Sequence, residues 1–268
     1  MSNLKSLSIF IGTAQCNARC KHCAGVPLRK HAPKEDGVID ESLIYNTIKD
    51  CYNQGARYLS ISSSGEPTLS PLAVTKVLKL VNGCENEGIK YSPINLYSNG
   101  IKIGEDKSFC NQYLNQWQNY GLTTLYVTVH NIDEKKNAEI YGIEKYPSLK
   151  QVISNIHDVG LLMRANLVLS KKTIGTFEEF SYTIEHLIDM GVDYVSAWPI
   201  REVHSDRIDS KMSPLEEELD KMGGWIKKNE HFCSKVRLLG KNNHEVYQTG
   251  QKLTLFPNGL LSSTWCNY

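Results

Sequence analysis

The stretch Cys16-Asn17-Ala18-Arg19-Cys20-Lys21-His22-Cys23 directly follows an apolar run and decides how the rest of the chain is interpreted. Its three cysteines, separated by three and then two residues, form a compact set of thiols rather than scattered core residues. A closed structural zinc site and an ordinary iron–sulfur cluster both use four protein ligands, so this set is one ligand short. The spacing therefore predicts a metal site with one coordination position left for another molecule.

Two kinds of metal site fit three thiolates at this spacing. A [4Fe–4S] cubane held by Cys16, Cys20 and Cys23 leaves one iron able to bind a substrate or cofactor directly. The alternative is a zinc ion bound by the same thiolates, with His22 or His31 as the fourth ligand. A further interpretation is that the three cysteines are unrelated and bind no metal. The motifs at the ends of the later strands favour the cluster.

The composition is that of an ordinary globular chain. Its 268 residues can bury one sizeable core, and 41% apolar residues, 22% charged residues and a net charge of +1 give no sign of a nucleic-acid partner. The apolar runs are too short to span a bilayer, and the N-terminal segment lacks the features of a secretion signal. The eight cysteines then favour thiol or metal chemistry over disulfides, and we expect a cytoplasmic protein.

Short apolar runs alternate with amphipathic helical segments as far as residue 200. A strand followed by a helix recurs six times, which predicts parallel strands because helices are their usual crossovers. We therefore predict an α/β fold: a partial (β/α)6 TIM-like barrel in residues 1–200. Residues 201–268 are expected to form a C-terminal extension, a short helix plus a β-hairpin, packed on the barrel and not an independent domain. The predicted strands are Ser6–Thr13, Tyr58–Ser62, Ile94–Ser98, Thr124–Val129, Leu162–Leu169 and Tyr194–Pro199.

Polar motifs follow the ends of these predicted strands. In α/β sheets, whether open or closed, the functional loops collect at the C-terminal strand ends. We therefore expect five segments to converge on one mouth: the cysteine loop, Gly65-Glu66-Pro67, Ser98-Asn99-Gly100, His130-Asn131 and Trp198-Pro199.

The cysteine spacing, placed after the first strand, resembles the signature of the radical S-adenosylmethionine (radical SAM) superfamily over roughly residues 6–200. The resemblance implies that Cys16, Cys20 and Cys23 hold a [4Fe–4S] cluster whose open iron binds the amino and carboxylate groups of SAM. One electron passed through the cluster would cleave SAM to methionine and a 5′-deoxyadenosyl radical, which takes a hydrogen atom from the substrate. The layout is most similar to the branch of molybdenum-cofactor synthesis and SPASM/twitch peptide-maturation enzymes.

The loop after the second predicted strand resembles a SAM-binding segment of that family. Ser64-Gly65-Glu66-Pro67 is similar to the Gly-Gly-Glu-Pro segment that holds the SAM amino group, with Ser64 in place of the first glycine. The resemblance implies that Gly65 offers its backbone and Glu66 its carboxylate. Taken alone, the same residues indicate only a solvated turn.

Ser98, Asn99, His130 and His22 are further candidate contacts of SAM. Ser98 and Asn99 resemble part of the Thr-Asn-Gly end of strand three, which implies a position near the ribose. His130 shares a strand face with the polar residues that a period of two places inside the barrel. It either contacts the ribose or is a hydrogen-bonded core histidine. His22, the residue before the last cysteine, is expected to lie against the adenine by the same resemblance.

Arg164, Asn166 and Trp198 are predicted to face the barrel interior on strands five and six. A charged Arg164 inside a barrel is costly unless it is paired. The resemblance implies the SAM carboxylate as its partner, and an ion pair with Glu66 or Asp193 is the alternative. Asn166 shares this face and is taken as a cofactor-binding position, whereas Trp198 either covers the adenine or packs in the core.

The C-terminal segment carries two more cysteines of interest. The ending Leu253–Cys266 resembles the hairpin of SPASM and twitch extensions, which carry auxiliary iron–sulfur clusters. Cys233 and Cys266 alone supply too few thiolates for such a cluster, so none is expected. Cys266 is the one candidate catalytic residue, as a hydrogen-atom donor, unless it simply packs.

The leading hypothesis is a radical SAM enzyme that abstracts hydrogen from a small metabolite or a short peptide. A flavodoxin or ferredoxin is expected as electron donor, and no nucleic-acid or membrane partner is expected. The alternative is a non-catalytic zinc- or iron–sulfur-binding module on a barrel scaffold. Formation of 5′-deoxyadenosine separates the two hypotheses.

Overall fold

The computed structural model describes residues 4–23, 25–26, 28, 39–202, 207–239 and 251–263. The described strands are β1 (Ser6–Ile11), β2 (Tyr58–Ser63), β3 (Ile94–Ser98), β4 (Thr124–Val129), β5 (Leu162–Leu169), β6 (Tyr194–Pro199), β7 (Val236–Leu238), β8 (Lys252–Leu255) and β9 (Leu261–Ser262). They form one sheet in the order β7-β6-β5-β4-β3-β2-β1-β8-β9. Every neighbouring pair is parallel except the antiparallel pair β8–β9.

Helices connect the parallel strands. They are α1 (Glu41–Asn53), α2 (Pro71–Cys84), α3 (Ile101–Glu105), α4 (Lys107–Phe109), α5 (Asn115–Asn119), α6 (Glu134–Tyr141), α7 (Leu149–His157), α8 (Phe177–Asp189), α9 (Glu216–Lys228) and α10 (Glu230–Cys233). Local sequence explains several of their ends. Asp40 caps α1 by accepting a hydrogen bond from the Leu43 backbone at 2.9 Å, and Thr176 and Glu179 form a reciprocal capping box on α8. No helix of the described residues is long and apolar enough to cross a membrane.

The core lies between the helices and one face of the sheet. On β5, Met163, Ala165 and Leu167 are completely buried in this core. The residues that alternate with them, including Arg164 and Asn166, are only partly buried and lie on the opposite face. We call this opposite, largely polar face of the sheet the inner face.

The predicted α/β class with a parallel sheet is confirmed. Strands β3, β4, β5 and β6 have the predicted bounds, whereas β1 ends at Ile11 instead of Thr13 and β2 extends to Ser63. No pairing among the described residues joins β7 to β9, so the barrel is open, as a partial barrel requires.

The segment after residue 200 contributes a strand to each side of this barrel. It contains the predicted helix, now α9, and the predicted hairpin β8–β9. Strand β7 pairs in parallel with β6, and β8 pairs in parallel with β1. The extension therefore belongs to the same sheet, while its boundary at residue 200 stays a prediction.

Candidate active site

The cysteine loop follows β1 and is held in place by the loop after β2. The hydroxyls of Ser63 and Ser64 both donate to the Thr13 carbonyl at 2.8 Å, and the Gly65 N–H donates to the same oxygen at 2.9 Å. The Glu66 N–H donates to the Gln15 carbonyl at 2.7 Å. The backbone that leads into Cys16 is therefore fixed by four hydrogen bonds from one neighbouring loop. The three loop cysteines are of intermediate burial and form no disulfide among the described residues.

Gly65 lies against this backbone so closely that no side chain fits. A Cβ atom added to it would be 2.0 Å from the Gln15 carbonyl oxygen and 2.9 Å from the Ala14 carbonyl carbon. Both atoms belong to the backbone and cannot turn away as a side chain would. The close contact with the cysteine loop is therefore sufficient to explain why residue 65 is glycine. The predicted contact between Gly65 and SAM stays a prediction.

The Glu66 carboxylate joins two of the converging loops. It is 2% exposed and accepts hydrogen bonds from the Thr68 N–H and hydroxyl at 3.1 and 2.8 Å. It also accepts from the Ser98 hydroxyl at 2.8 Å and the Asn99 N–H at 2.7 Å. Burial raises the pKa of this carboxyl, and the four hydrogen bonds oppose that shift by stabilising the carboxylate. Glu66 and Ser98 therefore tie the loops after β2 and β3 together.

Asn99 touches the cysteine loop directly. Its Nδ2 donates to Asn17 Oδ1 at 2.6 Å and lies 4.0 Å from Cys16 Sγ, while its Oδ1 accepts from the Ile101 N–H at 3.0 Å. The Ala18 N–H points to the same sulfur at 3.4 Å. The structure thus brings Asn99 together with the predicted cluster ligand, as the convergence of strand ends implies.

The end of α6 supports the cysteine loop from a third side. The Arg19 N–H donates to the Tyr141 carbonyl at 2.7 Å. Gly142 follows with φ 64°, and a Cβ atom there would be 3.1 Å from the Arg19 carbonyl oxygen. Sequence reasoning missed this contact, although a glycine after a short helix is the usual signal of a left-handed helix end.

His22 and His130 belong to a row of four rings in contact, edge-on to one another except for the stacked pair Tyr141–Tyr146. The ring centroids are 4.9 Å apart between His22 and His130, 4.8 Å between His130 and Tyr141, and 5.2 Å between Tyr141 and Tyr146. Burial lowers the pKa of His130 to about 3, with a smaller contribution from His22, whose own pKa is also lowered by burial. His130 is 2% exposed and therefore neutral at pH 7. Its contact with the ribose stays a prediction.

Arg164 lies deeper in the barrel than the other predicted site residues. It is in register with Tyr126 and with Tyr194, the first residue of β6. It lies five positions before Leu169, the end of β5, which is about 16 Å along the strand at about 3.3 Å per residue. Its pairing with the SAM carboxylate stays a prediction.

The alternative partners of Arg164 are engaged elsewhere. Asp193 Oδ2 lies 2.9 Å from His157 Nε2 and accepts from the Met163 N–H at 2.8 Å. Glu66 is bound by the loops after β2 and β3. Within the described part of the chain, Arg164 forms no salt bridge.

Asn166 and Trp198 lie on the inner face closer to the mouth. Asn166 is in register with Thr128 and Ser196, one inner-face position beyond Arg164. Trp198 is partly buried near the end of β6, and the Arg201 guanidinium lies 5.6 Å from its ring centroid. Both positions are compatible with the predicted cofactor contacts, which stay predictions.

Of the two tail cysteines, the structure describes Cys233. Cys233 is exposed, and its thiol donates to the Glu230 carbonyl at 3.2 Å within α10. Cys266 and His31 lie outside the described residues. The proposed roles of these two residues stay predictions.

Comparison with known families decides the class of the protein. The radical SAM superfamily matches residues 10–181, which include the cysteine loop and the chain from the end of β1 into α8. The chain belongs to the radical SAM superfamily. The resemblance inferred from the cysteine spacing is thereby confirmed.

Relatives of this radical SAM chain carry out different tasks. A GTP 3′,8-cyclase of Haemophilus influenzae strain 86-028NP is 25% identical over 176 residues, covering 65% of this chain and 48% of the relative. The chain thus spans about half the length of the curated relatives it matches. Streptococcus suis SuiB, solved bound to its precursor peptide SuiA, is 17% identical with a TM-score of 0.68, over 99% of this chain and 60% of that one. The structure of anSMEcpe with bound AdoMet matches with a TM-score of 0.58 at 14% identity, over 87% and 63%.

The cysteine loop of this radical SAM chain offers the donor set that a [4Fe–4S] cluster uses. In such a cluster each thiolate binds a separate iron, so three thiolates leave one iron open to another ligand. Cys16, Cys20 and Cys23 lie on one loop inside the segment that matches the radical SAM superfamily. The three cysteines therefore fit the cluster that the sequence predicts.

Proposed function

We propose that the chain holds a [4Fe–4S] cluster through Cys16, Cys20 and Cys23 and uses SAM to abstract a hydrogen atom from its substrate. When bound, the cluster and SAM would supply the one-electron cleavage that yields methionine and a 5′-deoxyadenosyl radical. The observation that carries the proposal is the fixed position of the cysteine loop. Hydrogen bonds from two neighbouring loops and from the end of α6 hold it at the C-terminal edge of the parallel strands.

The residues of the chain would act by positioning and by excluding water. The Gly65 and Glu66 backbone keeps the loop in register with β2, and Asn99 places an amide N–H beside the Cys16 sulfur. We expect SAM to lie between this loop, Asn99 and Trp198, with the rings of His22 and His130 forming a wall behind it. Such a wall would limit access of water to a reactive radical.

The substrate is proposed to be a small metabolite or a short peptide. The curated relatives are named GTP 3′,8-cyclases, and SuiB was solved with a precursor peptide. GTP cyclisation is therefore one specific candidate for this chain. Incubation of reduced enzyme with SAM and GTP, followed by chromatography of the nucleotides, tests it: unchanged GTP alongside accumulating 5′-deoxyadenosine would exclude that substrate.

The electron donor is proposed to be a flavodoxin or ferredoxin. A reduced cluster needs a one-electron donor of low potential, which these proteins supply. Reduced flavodoxin or ferredoxin should replace dithionite in an assay of 5′-deoxyadenosine, and failure of both carriers to support turnover would argue against them.

The test of the proposed function measures 5′-deoxyadenosine after anaerobic reconstitution with iron and sulfide, reduction with dithionite and addition of SAM. Wild-type protein should form the product, and Cys20→Ala should not. Cys233→Ala is the matched control, because Cys233 is exposed and lies on α10 away from the loop. If reconstituted, reduced wild-type protein forms no 5′-deoxyadenosine, the enzyme proposal fails and a non-catalytic module is favoured.

A further inference from the structure

Much of the inner face of the sheet is polar. The hydroxyls of Ser8 and Ser60 meet across β1 and β2 at 3.0 Å, and the rings of Tyr97 and Tyr126 meet across β3 and β4 with centroids 5.0 Å apart. A face that only packed against other protein would be apolar, because buried polar groups are costly without partners. Polar or tyrosine side chains on this face include Ser6, Ser8, Ser60, Ser62, Asn95, Tyr97, Tyr126, Thr128, Arg164, Asn166 and Ser196, whereas Phe10, Val168 and Trp198 are apolar or largely apolar positions of the same face.

Several polar atoms on this face are buried but have no hydrogen-bond partner among the described residues. They are the hydroxyl oxygens of Ser6 and Ser62, Oδ1 of Asn95 and Nε of Arg164. Ser62 and Asn95 are only 5% and 6% exposed. Native proteins leave few buried polar atoms unpaired, and several on one concave face indicate that the face is completed by a polar ligand.

Arg164 is a charged group on this face that a ligand could neutralise. Its Nη1 donates to the Tyr126 hydroxyl at 3.0 Å. The guanidinium carbon lies 4.9 Å from the Tyr126 ring centroid and 5.6 Å from that of Tyr194, so two rings fix the position of the guanidinium. A guanidinium has several N–H donors in a fork that matches an oxyanion. The bond to Tyr126 occupies only one of these donors, and no carboxylate of the described chain pairs with Arg164.

We propose that Arg164, oriented by Tyr126 and Tyr194, binds an anionic group of the substrate, a carboxylate or a phosphate. The inference rests on the proposed function, because it places substrate on the inner face below the cysteine loop. Arg164 lies about 16 Å along β5 from the mouth, so the anion is at one end of the substrate and the reacting carbon at the other.

The experiment is isothermal titration calorimetry on the full chain, reconstituted with its cluster and saturated with SAM. GTP and inorganic triphosphate form the phosphate arm, and the dipeptide Gly-Glu forms the carboxylate arm. At least one arm should bind wild-type protein, and Arg164→Gln should weaken that binding about tenfold to hundredfold, as expected for loss of a charge-assisted pair. Arg164→Lys should weaken it less, because it keeps the charge without the fork.

Arg57→Gln is the matched control. Arg57 also lies over a tyrosine ring, with its guanidinium carbon 3.8 Å from the Tyr52 centroid, but it is exposed and outside the inner face. Its substitution should leave the affinity for either arm unchanged. A phosphate-only or carboxylate-only response supports the proposal and identifies which oxyanion is bound.

The proposal is overturned if neither arm distinguishes wild-type protein from Arg164→Gln. If Arg164→Gln does not fold, as judged by circular dichroism, Arg164→Lys is compared instead, and unchanged affinity in that variant overturns it equally. Failure of the proposed function is recognised separately, because wild-type protein would then form no 5′-deoxyadenosine from SAM. If wild-type protein forms 5′-deoxyadenosine but Arg164→Gln binds the anionic probes as tightly as wild-type protein does, this inference is refuted and the proposed function is not.

Discussion

Replacement of Gly65 by alanine should damage the cluster site through a backbone collision. The added Cβ would be 2.0 Å from the Gln15 carbonyl oxygen, well inside the 3.0 Å limit below which real Cβ contacts essentially never fall. Because the obstructing atoms are backbone, either the segment leading to Cys16 moves or the strain stays as overpacking. Overpacking costs about 1–3 kcal/mol in measured cases. We expect a loss of this size in the free energy of unfolding, together with reduced iron uptake.

Urea unfolding of the apoprotein and iron content after anaerobic reconstitution measure the two effects of Gly65→Ala. Gly83→Ala is the control, because a Cβ atom there meets nothing within 4 Å and the residue is helical, in α2. That control should be neutral or stabilise the chain by up to about 1 kcal/mol, as expected for glycine to alanine in a helix. Wild-type stability and wild-type iron content in Gly65→Ala would show that the contact with Gln15 does not hold the loop.

Three further outcomes follow from the contacts around the site. Glu66→Gln should lower the free energy of unfolding in urea by about 1–3 kcal/mol, because the glutamine N–H₂ would face an N–H or O–H donor that a carboxylate oxygen of Glu66 accepts. An unchanged urea midpoint would contradict this expectation. Burial keeps His130 unprotonated in the folded protein down to about pH 3, whereas the unfolded chain protonates it below about pH 6.5. Between these values His130 should lower the free energy of unfolding by about 1.4 kcal/mol for each pH unit that the pH falls. His130→Phe should flatten the profile between about pH 7 and 5, and parallel profiles would count against the assignment. Gly142→Ala should cost about 1–2 kcal/mol, because φ is 64° and its Cβ would be 3.1 Å from the Arg19 carbonyl oxygen, and a thermal scan matching wild type would rule this out.

The sequence was sufficient to predict the strands that carry the site. Alternation of apolar and polar residues, with glycine after several helices, predicted the bounds of β3, β4, β5 and β6. Because parallel strands end at one edge, the meeting of Asn99 with the cysteine loop followed from topology alone. The local pattern did not show that β7 and β8 would join opposite edges of the sheet, because that pairing depends on contacts between residues far apart in the chain.

The depth of Arg164 and the support from Tyr141 could not be predicted from the sequence. A period of two indicates the face of β5 on which Arg164 lies, but the stagger between neighbouring strands sets its distance from the mouth. Helix α6 is short and polar, so its sequence has no apolar stripe to indicate that its last carbonyl would hold Arg19. Backbone contacts of this kind are made by any residue type and leave little trace in composition.

The position of β1 between β2 and β8 makes the order of synthesis matter for the cluster. Strand β8 pairs with β1 from opposite ends of the chain, with Ser6 opposite Lys252, so β1 has a free edge until residue 255 has been made. A free parallel edge presents unpaired N–H and C=O groups that invite association with other chains. Contacts of such long sequence separation also form late in folding. The cysteine loop, carried by this strand, would therefore gain its final geometry only near the end of folding, and cluster insertion would compete with aggregation until then.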